Sequence, residues 1–266
     1  MRVHSTHAAA AILGVLTLFS AGFWLIDQTH DGFRPLDPLP QKQLDPYAPR
    51  SIRVESRTEY ATATGSYPQF EHASVEFNKQ IQLTVQNAIE EHFLLSEENQ
   101  KAMLETDTGG TEETLEDFPL SVSFEAPVHD ADFISVIVHI EHYSGGAHGS
   151  SSMHTYTYDV RKKRIVSLPD LFPGYEKSLY SKLSTEARVQ LGATLAQQAG
   201  GETPDVDFLS EGTEPMEENF KLFTLSPQRD AVIIYFGLYQ VAPYVYGEQQ
   251  ISLPLPQDGV APEWLQ

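Results

Sequence analysis

His139, Glu141, His142, His148 and His154 crowd one stretch of the chain. Imidazoles beside a carboxylate are the raw material of metal sites and of acid–base chemistry. Their spacing argues against a shared metal. The run Phe133 to Tyr143 alternates as a strand does: Ile134, Val136, Val138 and Ile140 point one way, and Ser135, Ile137, His139 and Glu141 the other. His139 and His142 then fall on opposite faces. His142 could meet His148 or His154 across a hairpin, with a Glu or Asp completing a zinc site. The helical His-Glu-x-x-His pattern is absent, and a satisfied or surface histidine is the default. No metal and no cofactor is therefore expected.

Ser144-Gly145-Gly146-Ala147-His148-Gly149 superficially suggests a catalytic serine or a phosphate loop, but matches neither the nucleophile elbow nor the P-loop. Gly145 and Gly146 are read as supplying positive φ in a hairpin turn. The acidic stretches lack the Asp-x-Asp-x-Asp-Gly spacing of a calcium loop. Carboxylates abound, but an acid–base pair cannot be chosen among them without geometry. No catalytic residue is assigned.

The elements that must position these residues are strands with a few helices. Ile52 to Thr64 alternates as strands, and Ser66-Tyr67-Pro68-Gln69-Phe70 is expected to turn the chain. Phe77, Ile81, Val85, Ala88 and Phe93 predict a helix. Glu90 to Asp117 is strongly acidic and contains Gly109-Gly110, so part of it is expected to be loop. Further strands are expected at Leu120–Phe124, Met153–Val160, Ile165–Leu168, Phe220–Leu225, Ala231–Tyr239 and Gln250–Leu255. The stripe Leu179, Leu183, Ala187, Leu191 and Leu195 predicts a second helix, stopped by Gly200-Gly201. A second acidic stretch runs from Glu202 to Glu218. The pattern predicts an α+β fold with mainly antiparallel sheets.

The chain has 266 residues, a hydrophobic fraction of 41% and a net charge of −20. That fraction supports a real core despite the acidity. Phosphate binding needs Lys and Arg to displace counterions, so nucleic acid is excluded as a partner and cationic partners are favoured. No cysteine is present. Disulfides, thiolate nucleophiles, Cys-ligated zinc and a lipid-modified cysteine are thereby removed.

Ala8 to Ile26 carries no charge and is long enough for about 28 Å of helix. Arg2 precedes it, and Asp27 and Asp31 follow it. Residues 1–27 are read as a signal anchor that leaves the rest of the chain on the extracytoplasmic side, with the membrane contacted through residues 8–26. Cleavage near Ser20-Ala21-Gly22 would release a secreted form instead. Residues 28–50 are a Pro-rich linker. The remainder is expected to divide into a first domain, 51–128, and a second, 129–266.

Several segments together resemble a known family. Tyr67-Pro68-Gln69-Phe70, Phe77-Asn78 and the following helix are similar to the first domain of the RsiV/PdaC-type extracytoplasmic pair. Tyr143 to Gly149, Tyr158-Asp159, Ser167 to Phe172, and Phe220 to Phe236 leading into Tyr239 to Tyr244 and Gly247 are similar to the second. Members include the ectodomain of the lysozyme-sensing anti-sigma-V factor and a region preceding the catalytic domain of some peptidoglycan deacetylases; many have no assigned function. The resemblance implies two small associated α+β domains and a binding role in the cell envelope. Seven residues precede the hydrophobic segment and the chain ends at Gln266, so neither a sigma-binding domain nor a deacetylase domain is expected.

Tyr143, Gly145, Gly146, His148, Pro243, Tyr244 and Gly247 match the family pattern. Their first reading is architectural. A hairpin turn lying near a Pro-Tyr loop could also form a groove. The expected function is a membrane-anchored binding module, without turnover, for a cationic lysozyme-like protein or for peptidoglycan fragments. Tyr143, Tyr156, Tyr158, Tyr239 and Tyr244 are candidates to stack on sugar. The alternatives are a wall hydrolase or esterase using His148, and an envelope assembly factor acting through its acidic stretches.

Overall fold

The computed structural model describes residues 45–106, 117–145, 148–200, 206–258 and 260–266. The expected anchor, most of the linker and Gly146 lie outside the described residues. Among the described residues, no helix is long and apolar enough to cross a membrane.

Strands β1 (Arg50–Arg57), β2 (Ala61–Gln69), β3 (Phe118–His129), β4 (Phe133–His142), β5 (Ser150–Asp159) and β6 (Arg164–Ile165) form one sheet in sequence order. All neighbours are antiparallel except β2 and β3. A parallel pair needs a crossover, and helix α1 (Val75–Thr106) supplies it. Phe77, Ile81, Val85 and Ile89 of α1 are buried against Val122, Ile134, Val136, Val138 and Ile140 of the sheet. The alternation expected for β4 is therefore present, and its even-numbered face meets the helix.

Three features differ from the sequence reading. Ser66 to Gln69 continues β2 instead of turning. Beyond Gly65 this strand has a neighbour only in β1, the kind of one-sided position where a strand can hold a proline such as Pro68. Helix α1 runs on through the acidic residues to Thr106, with Glu90, Glu91 and Glu98 exposed. The last difference is the domain boundary expected at 128/129, which falls between β3 and β4. These strands pair from Leu120↔His142 to His129↔Ile134, so a division there would break a ladder. The two hydrophobic cores separate later, between Tyr158 and Leu168.

The second core is built on a three-stranded antiparallel sheet of β7 (Phe223–Leu225), β8 (Ala231–Phe236) and β9 (Gln249–Pro254). Helix α2 (Leu179–Gln198) covers one face, burying all five residues of the expected stripe with Val232, Ile234, Phe236, Ile251 and Leu253. The short helix α3 (Val206–Gly212) packs beside α2. Ser167 to Phe172 is architectural. The Asp170 carboxylate accepts from the Ser167 amide at 2.8 Å and hydroxyl at 2.7 Å, and from Arg164 through both oxygens. The Arg164 bonds, ahead of those from Ser167, hold the Asp170 carboxyl well below the usual carboxylate range.

The two sheets meet at β7. The N–H groups of Phe223 and Leu225 donate to the hydroxyls of Thr155, at 2.8 Å, and Ser135, at 3.0 Å. Ser135 also bonds Thr157, its neighbour across β4 and β5, at 2.8 Å. The odd-numbered face of β4 is thus no solvent face. Ser135 and Ile137 are buried, and hydroxyls there pair the edge N–H groups of the smaller sheet. At the β7–β8 turn, Arg229 reaches back to Asp132 at 2.8 Å and Asp130 at 3.5 Å.

Candidate functional site

The odd face of the large sheet emerges from under β7 toward the other end of the strands. Ser121, Glu141 and Ser151 stand side by side there on β3, β4 and β5, because Ser121 pairs with Glu141 and Glu141 with Ser151. Directly opposite residues hold their Cβ atoms about 4.5–5.5 Å apart. Ser151 donates to Glu248 Oε1 at 2.9 Å, a bond spanning 97 positions of sequence. Above this row the chain after β8 returns over the sheet as Leu238 to Glu248.

Between the two lies a groove of about 630 Å³. Pro119, Ser121, Glu141 and Tyr143 line one side; Leu238, Tyr244, Val245 and Glu248 line the other. Among the described residues no Lys or Arg lines it. The opening is apolar: of its lining residues Val245 is 83% exposed and Tyr244 37%, and Tyr239, 50% exposed, lies beside Tyr244 with ring centroids 5.6 Å apart. Exposed apolar side chains gathered around a concavity mark a contact surface more than scattered ones do.

The structure brings most of the sequence-selected residues to this groove. Tyr143, Tyr244 and Gly247 line it. His148, exposed on the hairpin turn, stacks on Tyr244 with ring centroids 4.3 Å apart and planes at 25°. The Tyr244 hydroxyl donates to the Gly149 carbonyl at 3.4 Å. Gly145 sits in the turn at φ 100°. Pro243 begins the short 3-10 turn Tyr244–Tyr246, and Gly247 ends it at φ 68°, a left-handed conformation that favours glycine. A second fixture holds this loop: a Cβ on Gly212 would lie 1.9 Å from the Gln240 carbonyl oxygen. Gln240 in turn donates to the Gly212 and Asn219 carbonyls at 3.2 and 3.0 Å.

Other candidates lie elsewhere. Tyr158 is 1% exposed and Tyr156 is half-buried against Phe77, bonding Thr84, so neither faces the groove and neither can stack on sugar. His154 pairs with Val138 in mid-sheet, where burial, followed by the nearby Lys221 charge, pushes its imidazole down. His142 and His154 are therefore not companions. Among the described residues no three His, Cys, Asp or Glu side chains gather as metal ligands would. The basic turn is used locally: Arg161 pairs with Asp132, Lys162 with Asp159 and Arg164 with Asp170.

His92 was missed by sequence reasoning. It continues the buried stripe of α1, followed at four-residue steps by Ser96 and Gln100, all three buried. Its Nε2 bonds the Phe118 carbonyl at 3.0 Å, and its ring centroid lies 5.6 Å from that of His142. Burial, more than the opposing bond to Phe118, holds the His92 imidazole below the ordinary histidine range. The signal was the unbroken three- to four-residue spacing from Ile89 to His92 and Ser96.

Comparison with known proteins places these two cores. The family model described as Deacetylase PdaC matches residues 54–151, and the model described as Protein of unknown function (DUF3298) matches residues 169–255. The chain thus carries a PdaC-type domain at 54–151 and a DUF3298 domain at 169–255, in tandem. The peptidoglycan-N-acetylmuramic acid deacetylase PdaC of Bacillus subtilis (strain 168) is 32% identical over 149 residues, which cover 56% of this chain and 30% of that protein. The match thus spans under a third of that relative. A DUF3298-family crystal structure from Bacteroides fragilis covers 79% of this chain and 94% of its own at 15% identity with a TM-score of 0.50. This likeness bears on the α+β fold alone. A DUF3298-family structure from Pseudomonas aeruginosa PAO1 aligns over 83% of this chain and 97% of its own, at 17% identity and a TM-score of 0.47. The second matched region begins where the second core does, at Leu168 to Phe172, the first ends at the start of β5, and the groove is lined from both.

Proposed function

We propose that this PdaC–DUF3298 tandem is an extracytoplasmic binding module of the cell envelope, held at the membrane by residues 8–26, and that the groove between its domains receives cell-wall glycan. The observation that carries the reading is the meeting of Tyr143, His148 and Gly149 with the Tyr244–Glu248 loop across an open concavity. Sugar rings are recognised by aromatic faces together with hydroxyl and carboxylate acceptors, and Tyr143, Tyr244, Ser121, Ser151, Glu141 and Glu248 supply both. The wall substrate in the name of the deacetylase relative supports the same ligand class. The module works by binding, without turnover.

The test is retention of the purified full chain on insoluble peptidoglycan, and titration with soluble wall fragments. Substituting Tyr143→Ala and Tyr244→Ala should abolish both while leaving the unfolding midpoint within a few degrees. Equal retention of wild type and variant would remove the groove from the account.

A cationic protein such as a lysozyme is the second reading, favoured by the net charge of −20 and the exposed acidic face of α1. Salt separates the two. Binding through surface charge weakens steeply between low and moderate ionic strength, and stacking does not.

A further inference from the structure

Glu141 and Glu248 face the same groove from the two domains, and among the described lining residues no Lys or Arg answers them; the imidazoles nearby are His142, whose ring lies 5.6 Å from that of His92, and His148, stacked on Tyr244. Glu248 is fixed by the Ser151 hydroxyl at 2.9 Å, which leaves lone pairs on both of its oxygens. Glu141 stands directly across from Ser151 on the neighbouring strand. The carboxylates are thus held on either side of one serine, in a concavity whose walls carry Tyr143 and Tyr244. A carboxylate-bearing sugar brought there would meet like charge at close range. A neutral acetamido sugar would find acceptors for its hydroxyls but no use for the charges. A primary ammonium would be paired by carboxylate and attracted by the adjoining ring faces, since cations favour aromatic π-faces.

We infer that the groove selects wall glycan carrying a free, protonated amine on the sugar ring, a de-N-acetylated segment, with Glu141 and Glu248 as the determinants of that choice. The inference rests on the proposed glycan reading and specifies it. Tyr143 and Tyr244 give general sugar affinity; the two glutamates discriminate between amine and acetamide.

Two soluble probes of equal length separate the layers: a pentamer of N-acetylglucosamine and a pentamer of glucosamine. Each is titrated into the purified full chain at about pH 6.5, where ordinary glutamates are ionised, at moderate salt. The glucosamine pentamer should bind about tenfold more tightly, a difference of 1.4 kcal/mol. Glu141→Gln and Glu248→Gln should each reduce that preference severalfold, because they weaken the glucosamine pentamer far more than the acetylated one. Because the whole chain is acidic, the exposed pair Glu90→Gln/Glu91→Gln on α1 serves as a charge control and should keep the preference. Equal or tighter binding of the acetylated pentamer would overturn the amine inference and leave the glycan reading standing. So would a preference that survives both groove substitutions, or one that falls equally in the control. Failure of both pentamers to bind would remove the reading and the inference together.

Discussion

Replacing Ser135 with alanine tests how the two domains are joined. The Ser135 side chain is fully buried; it accepts the Leu225 N–H at 3.0 Å and shares a 2.8 Å hydrogen bond with Thr157, also buried. Leu225 stands opposite Val232 in the pairing with β8, but its N–H is given to Ser135, so no ladder bond replaces the lost acceptor. An unsatisfied buried donor costs about 1–3 kcal/mol, and alanine leaves almost no extra cavity, so the expected destabilisation is about 2 kcal/mol. Against a typical stability of about 5–15 kcal/mol, that is readily measured. Equilibrium urea unfolding of the full chain, with the exposed Ser152→Ala as reference, reads it directly. Ser152→Ala should fall within about 0.5 kcal/mol of wild type. A Ser135→Ala loss no larger than that would mean that the edge of β7 is satisfied without the face of β4, and that the docking described above is wrong.

Three further outcomes are expected. His92 and His154 both have folded-state imidazoles held below the ordinary value by burial, so the unfolded chain takes up their protons first. Their contribution is complete above about pH 6.5 and is lost as pH falls toward the folded-state values; unfolding midpoints at pH 7.5 and 5.5 should show the loss, and His92→Gln should shrink it. Gly212→Ala puts a methyl group 1.9 Å from the Gln240 carbonyl oxygen and should destabilise by about 2 kcal/mol or more, with weaker fragment binding because the loop to Tyr244 must shift. Arg229→Ala removes the pairs to Asp132 and Asp130; the melting temperature should fall slightly at low salt and match wild type at high salt, since exposed pairs are screened.

Much of the fold could be read from side-chain period. The alternation of Ile134, Val136, Val138 and Ile140 marked β4, and the spacing of Leu179 to Leu195 marked α2, because one apolar face is enough to reveal a half-buried element. The hidden parts are those where burial is polar. Ser135 and Thr157 look like solvent-facing residues in sequence, yet they lie beneath β7, where hydroxyls match backbone N–H groups. His92, Ser96 and Gln100 extend the α1 stripe with polar side chains, so the acidic outer face dominated the composition. The boundary drawn at 128/129 failed for a related reason: nothing local distinguishes a hairpin within a sheet from a linker between sheets. The site was half legible. Tyr143 to His148 and Pro243 to Gly247 could be selected by family pattern, but Glu248 could not. Its place is set by a hydrogen bond to Ser151, 97 positions away.

Chemical-shift mapping of the labelled full chain during titration with soluble peptidoglycan fragments addresses the groove most directly. Saturable shifts should gather on Ser121, Glu141 to Tyr143, Gly149 to Ser151 and Tyr244 to Glu248, on both domains at once, and should vanish in Tyr143→Ala/Tyr244→Ala. Shifts confined to the acidic face of α1, or to one domain with the Tyr244–Glu248 loop silent, would contradict a ligand held between the domains.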